Sequence, residues 1–117
     1  MNIERIQHYI DYFSKDDFEF FSKNGWPYNY DSGVDEFINE FYQSDLIDTN
    51  YLETMNKHQK SHIELIKVAD KDLLKSILTS YVRGERFSEG TWAEAISNKI
   101  FLNILIKLKE LEEEAYI

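Results

Sequence analysis

The sequence predicts a single all-α domain of five or six helices over residues 1–117, with an irregular aromatic segment at 16–31. Three observations favour this fold class. Apolar side chains recur at helical spacing through most of the chain. Hydrophobic residues make up 43% of the chain, enough for a core without disulfides, and cysteine is absent. Glycine and proline number only four and one, so we expect short connections.

Two apolar stripes predict helices in the N-terminal half. The first, over residues 3–14, consists of Ile3, Ile6, Tyr9, Ile10 and Phe13. The second, over residues 33–43, consists of Val34, Phe37, Ile38, Phe41 and Tyr42. Ser32 is the expected N-cap of the second helix, because its hydroxyl can accept a hydrogen bond from the first turn.

The aromatic segment between these helices carries conflicting signals. Aromatic residues alternate around Asn24 and Gly25, a pair that favours a β-hairpin. Pro27 opposes a hairpin, since proline has no N–H to donate to a strand pair. We therefore expect an extended aromatic loop packed on the helices, with a short hairpin as the alternative.

Helical spacing continues through the C-terminal half. Residues 50–68 form one long helix or two short ones, and residues 70–83 form another, with Asp70 as its N-cap. Gly84 is expected to end that helix in the left-handed conformation. The last helix runs from about residue 99 to residue 115.

A short helix is predicted between these two. Thr91 and Glu94 have the spacing of a capping box, in which the threonine is the N-cap and the glutamate bonds back to it. Asn98 can close this helix, because asparagine tolerates the left-handed conformation.

Composition excludes several classes of function. The net charge is −9, which argues against direct nucleic-acid binding. No apolar run approaches the length of a membrane span, and without cysteine there is neither a thiolate zinc site nor a cysteine nucleophile. Residues 1–60 hold 12 acidic and 5 basic residues, so most of the negative charge lies there. We expect a cytoplasmic protein without a cofactor and favour a non-enzymatic role.

Scarce residues concentrate just before the short helix. Two of the three arginines, Arg83 and Arg86, lie beside Gly84 and Gly90 and lead to Thr91. Guanidinium groups next to a helix N-terminus suit a phosphate or a carboxylate. Arg83, Arg86 and Thr91 are therefore the candidate residues of an anion-binding site.

A structural interpretation of the same segment is favoured. Three nearby carboxylates, those of Glu85, Glu89 and Glu94, can pair with the two arginines. Phe87 would then fill part of the core, and the glycines would only allow the chain to turn. The glycine spacing matches neither a Walker loop nor a dinucleotide fingerprint.

The acidic, aromatic N-terminal half is the candidate surface for a protein partner. Its candidate residues are Trp26, Tyr28, Tyr30, Asp35, Glu36 and Glu40. A surface of one charge sign attracts a partner of the other sign, here a basic one. The alternatives are a solvated acidic surface and, for the aromatic rings, a lid on the core. A homo-oligomer formed through the aromatic segment or the last helix stays open.

Two histidines have a spacing used in some metal sites. His58 and His62 are four residues apart, and Glu53 or Glu64 might complete a zinc site. Lys60, between them, disfavours a cation, and the residues do not read H-E-x-x-H. We predict exposed histidines and no metal site.

The segment from Leu78 to Leu111 resembles a family of small, uncharacterised bacterial proteins. The resemblance rests on Arg83-Gly84-Glu85-Arg86-Phe87, on Gly90 and Trp92, and on an isoleucine- and leucine-rich last helix. The family pattern reads R-G-[D/E]-R-F-x-x-G, and it has a glycine where this chain has Asn98. The family carries no assigned activity, so the resemblance implies that Arg83, Arg86 and Phe87 matter for folding or for binding.

Two hypotheses of function follow. The first is a non-enzymatic interaction or regulatory protein, of bacterial or mobile-element origin, that holds a protein partner through its acidic, aromatic half. The alternative is a small-anion or nucleotide-binding domain centred on residues 83–90.

Overall fold

The computed structural model describes residues 1–22, 28–57 and 61–114, and this part of the chain is mostly helical. Its elements are α1 (Ile3–Phe13), β1 (Phe21–Ser22), β2 (Asn29–Tyr30), α2 (Ser32–Tyr42), α3 (Tyr51–Asn56), α4 (His62–Val68), α5 (Lys71–Gly84), α6 (Thr91–Ser97) and α7 (Ile100–Glu114). The all-α prediction is confirmed in its broad form. The expected five or six helices become seven in the described residues, because residues 50–68 contain two helices. None of the seven is long and apolar enough to cross a membrane.

The core forms where α1, α4, α5 and α6 pack against α7. Phe37 of α2 lies within it, with its ring centroid 5.1 Å from that of Tyr9, 5.2 Å from Phe13 and 5.3 Å from Phe101. All four rings are buried. Tilted and edge-to-face rings at such distances stabilise a core beyond their burial alone. The apolar stripes predicted for α1, α2 and α7 therefore meet in one cluster.

A short hairpin, and not an extended loop, connects α1 to α2. Phe21 pairs with Tyr30, and Ser22 pairs with Asn29, in antiparallel register. The backbone N–H of Asp31 continues the pairing by donating to the Phe20 carbonyl at 2.8 Å. The expected loop is thus wrong and the hairpin alternative is right. The proposed turn residues and Pro27 lie at 23–27, outside the described residues.

Asp31, and not Ser32, is the N-cap of α2. Its carboxylate accepts a hydrogen bond from the backbone N–H of Gly33 at 3.1 Å and from the Tyr12 hydroxyl at 2.7 Å. The hydrogen bond from Tyr12 and that from Gly33 lower the pKa of Asp31. A carboxylate with two donors displaces the neighbouring hydroxyl from the capping position. The prediction of Asp70 as the N-cap of α5 is confirmed, since it accepts from the Leu73 N–H at 2.9 Å.

The left-handed residues around α6 differ from those expected. Gly84 is the last residue of α5, and Glu85 continues the right-handed turn with φ −59° and ψ −30°. Asn98 is also right-handed, with φ −90°, and the chain reverses one residue later at Lys99, with φ 58°. Gly90 takes the left-handed conformation at φ 93°, where a side chain would be strained. The left-handed residues on either side of α6 are therefore Gly90 and Lys99, and not Gly84 and Asn98.

Candidate functional site

A tight loop over residues 85–90 joins α5 to α6. The backbone N–H groups of Phe87 and Ser88 both donate to the Gly84 carbonyl, at 3.0 and 2.9 Å. The Thr91 N–H and hydroxyl both donate to the Ser88 carbonyl, at 3.3 and 2.6 Å. These bonds, made within a few residues of one another, hold the loop in one shape.

The Glu85 side chain accepts hydrogen bonds from the backbone where the loop meets α6. One carboxylate oxygen accepts from the backbone N–H of Trp92 at 2.9 Å, and both oxygens lie 3.2 Å from the N–H of Gly90. The Tyr30 hydroxyl donates to the same carboxylate at 3.0 Å. The negative charge of Glu85 thus lies at the positive end of α6 and links the helix to the hairpin.

The predicted capping box does not form, because the N–H groups of Thr91 and Glu94 donate to the Ser88 and Gly90 carbonyls. The N-cap is Gly90, and Thr91 is the first residue of the helix. The N–H of Ala93 is also used, since it donates to the Tyr30 hydroxyl at 3.3 Å. Every backbone donor from Gly90 to Ala93 therefore has an acceptor within the chain. The predicted anion site at Thr91 stays a prediction, but its backbone donors already serve Glu85, Ser88 and Tyr30.

The two arginines of the predicted anion site have different surroundings. The Arg83 guanidinium lies 5.6 Å from the ring centroid of Tyr51, a cation–π contact on α3. Arg86 is exposed on the loop. In the described residues neither forms a salt bridge with Glu85 or Glu89, and Glu89 Oε2 is buried without a hydrogen-bond partner. The expected ion pairs are therefore not formed in this part of the chain.

Phe87 lies in solvent and not in the core. Its side chain is 80% exposed, so the expectation that it fills the core is wrong. Trp92 fills the space instead, with its indole N–H donating to the Val82 carbonyl at 2.9 Å. Its ring centroid lies 5.2 Å from that of Tyr30. These two rings pack between α5, α6 and the hairpin, and Phe87 lies outside this contact.

The structure brings together two candidate sets that are distant in sequence. The Tyr28 and Tyr30 rings stack at 6.1 Å on the hairpin, beside the loop. A side chain at Gly90 would touch the Tyr28 ring at 3.2 Å. Burial raises the pKa of Tyr30, and its bond to Glu85 raises it further. Tyr30 therefore binds Glu85 as a neutral hydrogen-bond donor. Trp26, the third aromatic candidate, lies outside the described residues.

The acidic candidates form a separate face on α2 that Arg5 partly neutralises. The Arg5 Nε donates to Glu40 at 3.0 Å, and its terminal nitrogen lies 3.1 Å from Glu36. The Tyr9 hydroxyl donates to Glu40 at 2.9 Å. The guanidinium bond lowers the pKa of Glu40, while burial and then Asp31 raise the pKa of Asp35.

Arg5 is a structural residue that sequence reasoning missed. It pairs with a carboxylate 35 positions away, and no local pattern reports such a contact. The one signal in the sequence is that Arg5 is one of only three arginines.

His62 is half-buried, so the prediction of an exposed histidine is wrong for it. Its Nδ1 lies 2.7 Å from the Tyr81 hydroxyl, and burial lowers its pKa. Among the described residues, α3 ends at Asn56 and α4 begins at His62. His58 itself lies outside the described residues. Among residues that are described, no group of three or more histidine and carboxylate side chains could hold a metal ion.

The chain matches the family of unknown function DUF6508 over residues 1–114. It belongs to this family. No curated protein and no solved structure matches the chain. Membership in DUF6508 agrees with the resemblance to an uncharacterised family, whereas the R-G-[D/E]-R-F-x-x-G pattern and a bacterial origin stay predictions.

Proposed function

We propose that this chain is a non-enzymatic protein-interaction module that contacts its partner through the loop over residues 85–90. The observation that carries the proposal is the 80% exposure of Phe87. Phenylalanine is among the residue types most often buried. Transferring such a side chain from water into an apolar pocket is worth about 1.5–3 kcal/mol, which a partner can supply.

The loop is ordered before any partner arrives. Backbone N–H groups of Arg86, Phe87, Ser88 and Gly90 already donate to acceptors within the chain. Binding therefore costs less conformational entropy than binding by a flexible loop. Phenylalanine and arginine are also both enriched in protein interfaces relative to the rest of the surface.

The charges of the loop define the partner's chemistry. Glu85 faces inward, so Arg86 and Phe87 are the prominent outward groups of the loop. We expect a partner with an apolar pocket for Phe87 and carboxylates at its rim for Arg86. The acidic α2 face stays a second proposed contact, for a basic surface, but two of its three carboxylates already bind Arg5.

The anion-binding alternative has less support, because the backbone donors at the start of α6 are occupied. Thermal-shift assays with inorganic phosphate and with nucleotides test it. A shift in melting temperature that Arg86→Ala removes from a folded protein would favour this alternative over the interaction module.

Site-specific photo-crosslinking in the native host tests the proposed contact. The photoreactive amino acid p-benzoylphenylalanine replaces Phe87 in one strain and Leu52 in a control strain. Leu52 is a matched control because it is 63% exposed on α3. We expect a discrete cross-linked protein from position 87 and not from position 52, joined at a site flanked by carboxylates.

A charge reversal completes this experiment. Arg86→Glu should abolish the adduct at position 87, since the new carboxylate would face an acidic rim. The proposal fails if position 87 yields no adduct, if both positions yield the same adducts, or if Arg86→Glu leaves the adduct unchanged.

A further inference from the structure

A groove between α4 and α7 is lined by both apolar and charged side chains. Its volume is about 300 Å³, and its lining consists of Ile63, Ile66, Lys67, Asn103, Ile106, Lys107 and Glu110. We call this surface the α4–α7 face. Ile63 is 47% exposed and Ile106 is 38% exposed, so the face combines accessible apolar area with charges of both signs.

The order of polar residues along α7 makes this face self-complementary. Asn103, Lys107, Glu110 and Glu114 follow one another at spacings of four, three and four, which places them on one side of the helix. When a second α7 lies antiparallel to the first, Lys107 of each copy stands opposite Glu110 of the other. Asn103, an amide donor, then stands opposite the Glu114 carboxylate. A parallel arrangement would set lysine against lysine.

We propose that the α4–α7 face binds a second copy of this chain, with the two α7 helices antiparallel about a two-fold axis between residues 107 and 110. An unrelated partner has no reason to match this alternation, whereas a two-fold axis satisfies it twice with the same residues. Ile63 and Ile106 supply the apolar centre, and Lys67 adds a cation at the edge of the face. This proposal does not depend on the loop over residues 85–90.

The charge pair that should cross the interface is weakly held within one chain. Lys107 Nζ lies 4.0 Å from Glu110 of the same helix, at the limit of an ion pair, and Lys67 forms no salt bridge with a described residue. On a chain of net charge −9, two lysines available beside an apolar groove suit an acidic helix such as the end of α7.

Sedimentation equilibrium of the purified chain tests the proposal through a charge exchange. Lys107→Glu and Glu110→Lys should each weaken dimerisation about tenfold or more, because each places like charges together twice. The double variant, Lys107→Glu with Glu110→Lys, should restore the dissociation constant to within about threefold of the original. Ile106→Glu should leave a monomer.

A matched pair elsewhere provides the control. Glu53 on α3 and Lys57, the residue after α3, also lie 4.0 Å apart within one chain, and exchanging them should leave dimerisation unchanged. Circular dichroism shows whether each variant is folded. The proposal is overturned if the chain stays monomeric up to about 1 mM, if single reversals leave the dissociation constant unchanged, or if the double variant fails to recover while folded.

Discussion

Phe87 and Phe101 show how differently one residue type is used in this chain. Phe101 is fully buried in α7, whereas Phe87 is 80% exposed on the loop. Residue type alone predicts burial for both phenylalanines. What separates them is that Trp92 and Tyr30 already occupy the space beneath the loop.

Replacing Phe87 by alanine should barely alter stability. We expect a change of about 0.5 kcal/mol or less in the free energy of unfolding, as for other surface positions. Phe101→Ala, the buried counterpart, should cost about 3–5 kcal/mol. Urea denaturation followed by circular dichroism measures both values. A loss at Phe87 approaching that at Phe101 would mean that the ring is part of the core.

Replacing Glu85 by alanine should destabilise the junction of α5, α6 and the hairpin. The change leaves the N–H groups of Gly90 and Trp92 and the Tyr30 hydroxyl without their acceptor. We expect a loss of about 1–3 kcal/mol in unfolding free energy. Glu19→Ala, at an exposed position after α1, is the control and should cost about 0.5 kcal/mol or less. Equal effects of the two changes would contradict the role given to Glu85.

Glu40 should make stability depend on acid pH. Arg5 lowers its pKa in the folded chain, whereas an unfolded glutamate titrates near about 4.3. The stabilisation is therefore complete above that value and is lost as the pH falls through the lower, folded pKa.

Urea denaturation as a function of pH measures this contribution. Glu40→Gln should flatten the fall of stability from about pH 5 to about pH 2. Arg5→Gln should remove the larger share of the same contribution, because the Tyr9 hydroxyl still donates to Glu40. Combining the two changes should add nothing to the effect of Glu40→Gln alone. Additive slopes would show that the two residues act separately. The remaining slope comes from other groups, including Asp31 and Asp45, whose pKa values are also lowered.

At the scale of elements, close packing fixes how α1 meets the start of α2. A Cβ added at Gly33 would clash with the Tyr12 ring, and Tyr12 also donates to the α2 cap Asp31. The contact therefore needs both a glycine in the first turn of α2 and a tyrosine in the last turn of α1.

Gly33→Ala should therefore be destabilising, although alanine ordinarily favours a helix. We expect a loss of about 1–3 kcal/mol, since the ring must move from its packed position. Gly33→Ala combined with Tyr12→Leu should lose less than the sum of the two single changes, because the clash is gone. Thermal denaturation measures both. A stabilising Gly33→Ala would show that the two helices are farther apart.

At the scale of the molecule, the helices were predictable because their signal is local. Apolar residues three and four positions apart predicted α1, α2, α5 and α7 within a residue or two of their observed bounds. The hairpin was harder, because Asn24-Gly25 and Pro27 are opposing signals in the sequence.

The candidate site was less predictable, because its decisive contacts are not local. The capping-box pattern of Thr91 and Glu94 is a valid local signal, but other donors at the start of α6 bind Glu85. Glu85 in turn accepts from Tyr30, 55 positions away. Arg5 and Glu40 are likewise distant in sequence. The composition makes residues 83–90 stand out, and only the packing shows that Phe87 faces out.

Phe87 is the residue that the proposed function assigns to contact with a partner. Hydroxyl-radical footprinting with mass spectrometry tests this assignment, by comparing oxidation of Phe87 in the purified chain and in the native host. We predict fast oxidation of Phe87 in the purified chain and strong protection in the cell, with Leu52 oxidised at similar rates in both. Slow oxidation of Phe87 in the purified chain, or equal rates in both settings, would contradict the assignment.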